Sequence, residues 1–160
     1  MEKNDLASEL SLEEVVHKEL MIVTSEAGTK DEVLSELGDL LYQEGYIDNK
    51  KAFIDDVYFR ETEGMTGIGQ GVAIPHGKSD AVLETTIAIA ILDKEIEWET
   101  LDDKPVRVVI LFAVTDSDAN MKHILLLQEV AKLLAHDDFT EKLVNTKSVE
   151  ELYKLVTKSN

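Results

Sequence analysis

Between residues 11 and 60 the apolar residues recur mostly at helical spacing. Ser11, with Glu14 three residues on, makes a capping-box pattern ahead of Val15 and Val16 and predicts a short first helix over "SLEEVVHKEL". The next stretch, "LMIVTSEA", reads equally as a short strand or a turn. Thr29 and Glu32 repeat the capping signal. Val33, Leu34, Leu37, Leu40 and Leu41 then share one helical face, and Gly45 supplies the stop. A third helix is predicted from about Asn49 to Arg60, with Phe53, Ile54, Val57 and Tyr58 turned inward.

The spacing then changes. Five of the eight glycines lie between Gly64 and Gly77, which predicts a loop with demanding backbone geometry. Within it, Val72 to Ile74 reads as a short strand ending at Pro75. "TTIAIAIL" and "VRVVILFAV" are rich in β-branched residues without polar alternation, the mark of strands buried on both faces. "EIEW" between them reads as a further short strand. A strongly apolar helix starts at Asn120, and two more follow at about Asp138 to Asn145 and Ser148 to Val156. Helices at both ends with strands between predict an α/β fold: a single-domain sandwich with a central mixed sheet flanked by helices on both faces. Residues 1–10 are expected to be a short tail and residues 11–160 the domain.

Composition narrows the function. The 160 residues suffice for one sizeable core. The chain has no cysteine, which excludes disulfide scaffolds, thiolate metal sites and cysteine nucleophiles. The N-terminal residues lack a basic start and an apolar stretch of signal-peptide length, and the run Val108 to Val114 is far too short to span a bilayer. A soluble, cytoplasmic protein without direct membrane insertion is expected. Sixteen basic and 33 acidic side chains give a net charge of −17. Such a field repels nucleic acid and anionic membranes and attracts basic partners, besides aiding solubility.

Four histidines are the candidate chemistry. His17, in the expected acidic helix, and His136, near a helix end, read as structural. His76 stands in "GVAIPHGKSD". Pro75 fixes its own φ and biases Ile74 to extended geometry, so the backbone runs stiffly up to the imidazole. Gly77 is expected to leave space for a partner or an adduct, and Lys78 adds a cation. The short motif also fits an ordinary turn histidine. His123 begins the helix after the strand "VRVVILFAV". Ligand sites of open α/β sheets gather beyond the carboxyl ends of strands, and helix N-termini there favour anions. His76 and His123 are therefore expected to meet at one sheet edge, although His123 reads as well as a partly buried helix histidine. No spacing resembles HExxH or a Cys/His cluster, and no serine sits in a GxSxG setting, so neither a metal centre nor a serine triad is indicated.

The stretch "ETEGMTGIGQGVAIPHG", Glu61 to Gly77, closely resembles the active-site signature of enzyme IIA of the bacterial phosphoenolpyruvate-dependent sugar phosphotransferase system, fructose/mannitol type. That group includes the nitrogen-regulatory enzyme IIA. The constrained positions are Glu61, Ile68-Gly69, Val72-Ala73-Ile74-Pro75-His76 and Gly77. The resemblance extends upstream to Arg60 in "FRE", and downstream to His123 in "MKHILLL" and to the closing "TKSVEELYKLV". It implies a phosphotransferase component without a cofactor. His76 would be the tele-phosphohistidine, carrying phosphate on Nε2, and His123 and Arg60 would support it. The group would come from the histidine-containing phosphocarrier protein HPr and pass to a cysteine of enzyme IIB, with membrane enzyme IIC engaged indirectly. The alternative is a nitrogen-type regulatory phosphoprotein that uses the same histidine and signals by protein binding. Fructose is the sugar the resemblance favours.

Overall fold

The computed structural model describes residues 12–118, 121–136 and 138–157. The expected tail over residues 1–10, Ser11 of the first capping box, and Asn120 lie outside them. A 3₁₀ turn at Leu12–Glu14 leads into β1 (Val16–Ser25). Helices α1 (Lys30–Gln43) and α2 (Lys50–Glu61) follow, then three short strands, β2 (Gly67–Gly69), β3 (Val72–Ala73) and β4 (His76–Lys78). The long strands β5 (Thr86–Ile96) and β6 (Val106–Val114) come next. A 3₁₀ turn at Asp116–Asp118 precedes α3 (Met121–Leu134), α4 (Phe139–Val144) and α5 (Val149–Thr157).

The strands form one mixed sheet in the order β1-β5-β6-β3-β2, with β4 also paired to β6. Strands β5 and β6 are antiparallel, and β1, β3 and β4 each pair parallel to a neighbour. The apolar runs of β5 and β6 are explained by two cores. Ala88, Ala90, Val109, Leu111 and Ala113 face α1 and α2, together with Leu34, Leu37, Phe53 and Val57. Ile87, Ile89, Val108, Ile110 and Phe112 face the other way, against Leu126 and Val130 of α3, Leu143 of α4 and Leu152 of α5. The predicted sandwich is thus the observed one.

The Thr29 cap acts as the sequence indicates, and a second cap stands at the expected start of the third helix. The Thr29 side chain accepts a hydrogen bond from the Glu32 N–H at 3.1 Å, and Asn49 Oδ1 accepts from the Ala52 N–H at 3.0 Å. Gly45, with φ of 84°, stands in the left-handed region just past α1.

The expected first helix is overturned. Only the single turn Leu12–Glu14 forms, and "VHKELMIVTS" is edge strand β1. His17 is therefore a strand residue, half-buried and stacked on Tyr46 with ring centroids 5.2 Å apart. Nor is "EIEW" a separate strand: β5 runs on through Ile96. The expected strand Val72 to Ile74 stops at Ala73, and β4 begins directly after Pro75.

Candidate functional site

Strands β3 and β4 are two parts of one path along the same edge of β6. Val72 pairs with Val108 and Ala73 with Val109. After the interruption, His76 pairs with Phe112 and Gly77 with Ala113, in unchanged register. The interruption is where Pro75 lacks an N–H to donate. Its carbonyl still accepts from the Phe112 N–H at 2.9 Å, so the path is broken without being displaced. His76 is consequently a strand residue, paired to β6, and the turn-histidine reading fails.

Side chains alternate across a strand. Gly77 faces α2, and His76 faces the α3 side with Phe112. The space beside Gly77 is filled: a Cβ there would stand 2.4 Å from Phe53 Cε1 and 2.8 Å from Val57 Cγ2. The expectation that Gly77 leaves room for a partner or an adduct is therefore corrected. The glycine lets α2 close down on β4.

His123 lies in the first turn of α3 and meets His76 as expected, with ring centroids 4.8 Å apart. Phe112 lies against both imidazoles, at 5.2 Å from His76 and 6.0 Å from His123. The sequence reading did not single out Phe112. The signal available was its place directly opposite His76 in the ladder.

His76 is 6% exposed, and neither Nδ1 nor Nε2 has a hydrogen-bond partner among the described residues. Burying an unpaired polar group costs about 1–3 kcal/mol, and such groups call for a reason other than stability. Burial, then the neighbouring His123, then the Arg60 charge push the imidazole down from 6.5 to about 3. The ring is therefore neutral at physiological pH and keeps a nitrogen lone pair. Arg60, half-buried in the last turn of α2, donates from Nη1 to the Gly64 carbonyl at 3.2 Å. Its charge acts on His76 although α2 covers the opposite face of the sheet, because β4 has a strand neighbour on one side only among the described residues. His76 and His123 are thus brought together, and Arg60 stands within electrostatic reach of His76. His17 and His136 stand apart from this cluster: His17 pairs with Tyr46 on β1, and His136 is exposed beyond α3.

The surroundings of the pair are acidic. Lys78 ends β4, and Asp116 follows β6. A hydrogen bond to Asp80, more than burial, raises Asp116 above the usual carboxylate range, and Lys78 and Asp56 also act on it. Phe59 and Ile124, the chain neighbours of Arg60 and His123, are 64% and 52% exposed.

Residues 14–159 match the family described as "Phosphoenolpyruvate-dependent sugar phosphotransferase system, EIIA 2". The fructose-specific EIIA component of Haloferax volcanii is 33% identical over 130 residues, covering 81% of this chain and 84% of that protein. The 2-O-alpha-mannosyl-D-glycerate-specific EIIABC component of Escherichia coli is 30% identical over 144 residues; these are 89% of this chain and only 22% of that longer protein. Among solved structures, nitrogen regulatory protein IIA-Ntr from Neisseria meningitidis superposes with a TM-score of 0.82 at 28% identity, covering 90% of this chain and 97% of that one. The mannitol enzyme IIA of Escherichia coli, solved in complex with phosphorylated enzyme IIB, gives a TM-score of 0.71 at 26% identity, over 86% of this chain and 94% of that one. With a match that runs nearly end to end and a relative one-third identical over most of both chains, this chain belongs to the type-2 enzyme IIA family of the phosphoenolpyruvate-dependent sugar phosphotransferase system.

Proposed function

We propose that the chain is a cytoplasmic phosphocarrier of sugar uptake, in which His76 accepts a phosphoryl group from the histidine phosphocarrier protein and passes it to a cysteine of enzyme IIB. The observation that carries this reading is the buried, neutral His76 imidazole with no hydrogen bond on either ring nitrogen among the described residues, set against a second histidine and an arginine. The Nε2 lone pair attacks phosphorus, and a new N–P bond forms. The donor's N–P bond breaks, and its electron pair returns to the donor imidazole. Nδ1 of His76 keeps the ring proton. Onward transfer reverses these roles, with the partner thiolate attacking phosphorus and the electron pair returning to His76.

Little covalent chemistry is left for the remaining residues, which hold the group and balance its charge. Arg60, His123 and the N-terminal turn of α3 supply positive potential for the phosphoryl oxygens. The exposed Phe59 and Ile124, chain neighbours of Arg60 and His123, together with the carboxylates Asp56, Asp80 and Asp116, suit a partner surface that combines apolar contacts with basic side chains. Burial of His76 beneath that rim keeps water away from the labile bond until a partner docks.

The test is transfer with purified enzyme I, the phosphocarrier and labelled phosphoenolpyruvate, followed by peptide mapping and then by addition of candidate enzyme IIB proteins. Acid-labile label on the peptide containing His76, discharged by one enzyme IIB, is expected. Absence of label, or label elsewhere, rejects the reading. A second reading, regulatory signalling through the same phosphohistidine, is favoured by the close superposition on the nitrogen regulatory protein. It predicts labelling without discharge to any sugar-specific enzyme IIB.

A further inference from the structure

The carboxylate of Glu61 is 8% exposed and its two oxygens are engaged separately. Oε1 takes the Lys30 ammonium, in the first turn of α1, at 2.6 Å. Oε2 accepts from the Thr66 hydroxyl at 2.6 Å. That hydroxyl in turn accepts from Trp98 Nε1 at 3.2 Å, and the Thr66 carbonyl accepts from the Ile74 N–H at 2.9 Å. Ile74 lies two residues before His76. Glu61 itself directly follows Arg60 and is the last residue of α2. Glu61 thus links the end of the helix that carries the arginine to α1 through Lys30 and, by way of Thr66, to the backbone path that carries the histidine. Tyr58 on α2, hydrogen-bonded to Asp31 on α1, fixes the same helix end a second time.

A buried ion pair is poor evidence for stability, because a well-packed apolar pair of similar volume is often as stable or more so. Directional bonds do what apolar packing does not: they fix distance and orientation. We propose that Glu61 is a positioning residue for phosphoryl transfer, whose carboxylate, bridging Lys30 and Thr66, holds Arg60 in register with His76. This rests on the phosphocarrier reading of His76. Glutamate meets the requirement because its two oxygens serve the two walls at once. Glutamine keeps an acceptor for Thr66 but loses the nearer of the two charges that hold Lys30, the other being Glu99 at 3.0 Å.

The experiment is a double-mutant cycle on Glu61→Gln and Arg60→Ala, with folding checked by circular dichroism. Single-turnover transfer from phosphorylated phosphocarrier is measured over a range of donor concentrations. Glu61→Gln is expected to lower the maximal rate about tenfold and leave the half-saturating concentration unchanged, because small misplacements of a charge-stabilising group slow chemistry rather than docking. With Arg60 already replaced by alanine, the same change should cost under about twofold, because the group being positioned is gone. A tenfold loss that persists without Arg60, a loss confined to half-saturation, or no loss at all overturns the proposal.

Ring-nitrogen chemical shifts of His76 at neutral pH give a readout independent of transfer. Arg60→Ala should move them in otherwise unaltered protein and move them less than half as far beside Glu61→Gln; equal shifts in both backgrounds overturn the proposal. If His76 takes no phosphate, the phosphocarrier reading fails, and the shift cycle still decides whether Glu61 holds Arg60 against His76. Should Glu61→Gln not fold, Thr66→Val removes one arm of the bridge and is measured in the same cycle, with the same expected and overturning results.

Discussion

The two faces of the sheet hold their helices in different ways. On the α1–α2 face, beside the local pair Lys51–Asp55, polar links join one element to another: Lys30 to Glu61, Lys50 to Asp39 at 2.7 Å, Lys50 to Ser35 at 2.8 Å, and Tyr58 to Asp31. On the α3–α5 face, contact with the sheet is made by aliphatic and aromatic side chains, among them Leu126, Leu143 and Leu152. The ion pairs found there among the described residues lie on the outside: Lys132–Glu129 and Lys142–Asp138 span three or four residues of chain, and Lys18–Glu150 is exposed. The site takes one property from each face. The apolar face keeps the His76 imidazole dry and neutral. The polar face brings the Arg60 charge within reach of it. On the proposed function neither alone would suit a transferable phosphoryl group, because a wet imidazole loses the group to water and a loose arginine stabilises its charge poorly.

Replacing residues on either face tests this division. The largest effect should come from His76→Ala, which removes the acceptor: acid-labile labelling should vanish while the fold survives. Undiminished label on that variant would move the acceptor to another residue. His123→Ala should slow transfer on the order of 100-fold, the loss typical of one charge-stabilising donor, with label still on His76. A wild-type rate in quench-flow would take His123 out of the site. Gly77→Ala acts through the polar face. Its methyl group would press on Phe53 and Val57 and lift α2 from β4. Overpacking of this kind costs up to about 3 kcal/mol, to be read from urea unfolding, and should also slow transfer by displacing Arg60. Unchanged stability would show that α2 has room to spare.

The acid behaviour of the fold tests the apolar face. His76 titrates at about 3 in the folded chain against 6.5 for an ordinary histidine. Between those values the unfolded chain binds a proton that the folded chain excludes. Stability is therefore full above about pH 6.5 and declines as pH falls towards 3. From pH 7 to pH 5 this linkage removes about 2 kcal/mol, which His76→Gln should spare. Parallel stability curves for the two proteins would mean that the imidazole is not held neutral. The smallest effect concerns the rim. Asp116 interacts electrostatically with Asp80, with Asp56 and with Lys78, two residues from His76, and charges in water are screened beyond about 8 Å at physiological ionic strength. Raising salt from about 50 to about 500 mM should slow association with a basic phosphocarrier by several-fold and change dissociation little. A flat series would leave recognition to Phe59 and Ile124.

Much of this was legible in the sequence where local chemistry dominates. The Thr29 cap, the start of α2 near Asn49 and the apolar runs of β5 and β6 are marked by neighbouring residues alone. The meeting of His76 and His123 follows from a general rule about strand ends and helix starts. The first half of strand β1 was not legible and its second half was open between strand and turn, and the register shows why. Val15, Val16, Leu20 and Met21 are buried, at spacings of four and five that imitate a helix. The pairing with β5 shifts register between Val16 and Met21, so strict alternation is lost. Arg60 came from family resemblance alone, because nothing local marks one arginine above another. The Glu61 bridge depends on Lys30, which is distant in the chain and reached only after two helices have folded.

The unbroken register of Val72 to Lys78 along β6 has an arithmetic consequence for how this segment can vary. Side-chain direction in a strand has only two values, and β4 inherits its value from β3 through Ile74 and Pro75. Deleting or inserting a single residue there, with the pairing kept, would turn the histidine towards Phe53 and Val57 and the glycine towards His123. An even change of length would restore the facing but slide the imidazole a full pleat away from Phe112. A point substitution along this path changes one side chain, whereas a change of length re-aims or slides every side chain that follows it. The count of residues between Val72 and His76 is as much a part of the site as the residues themselves.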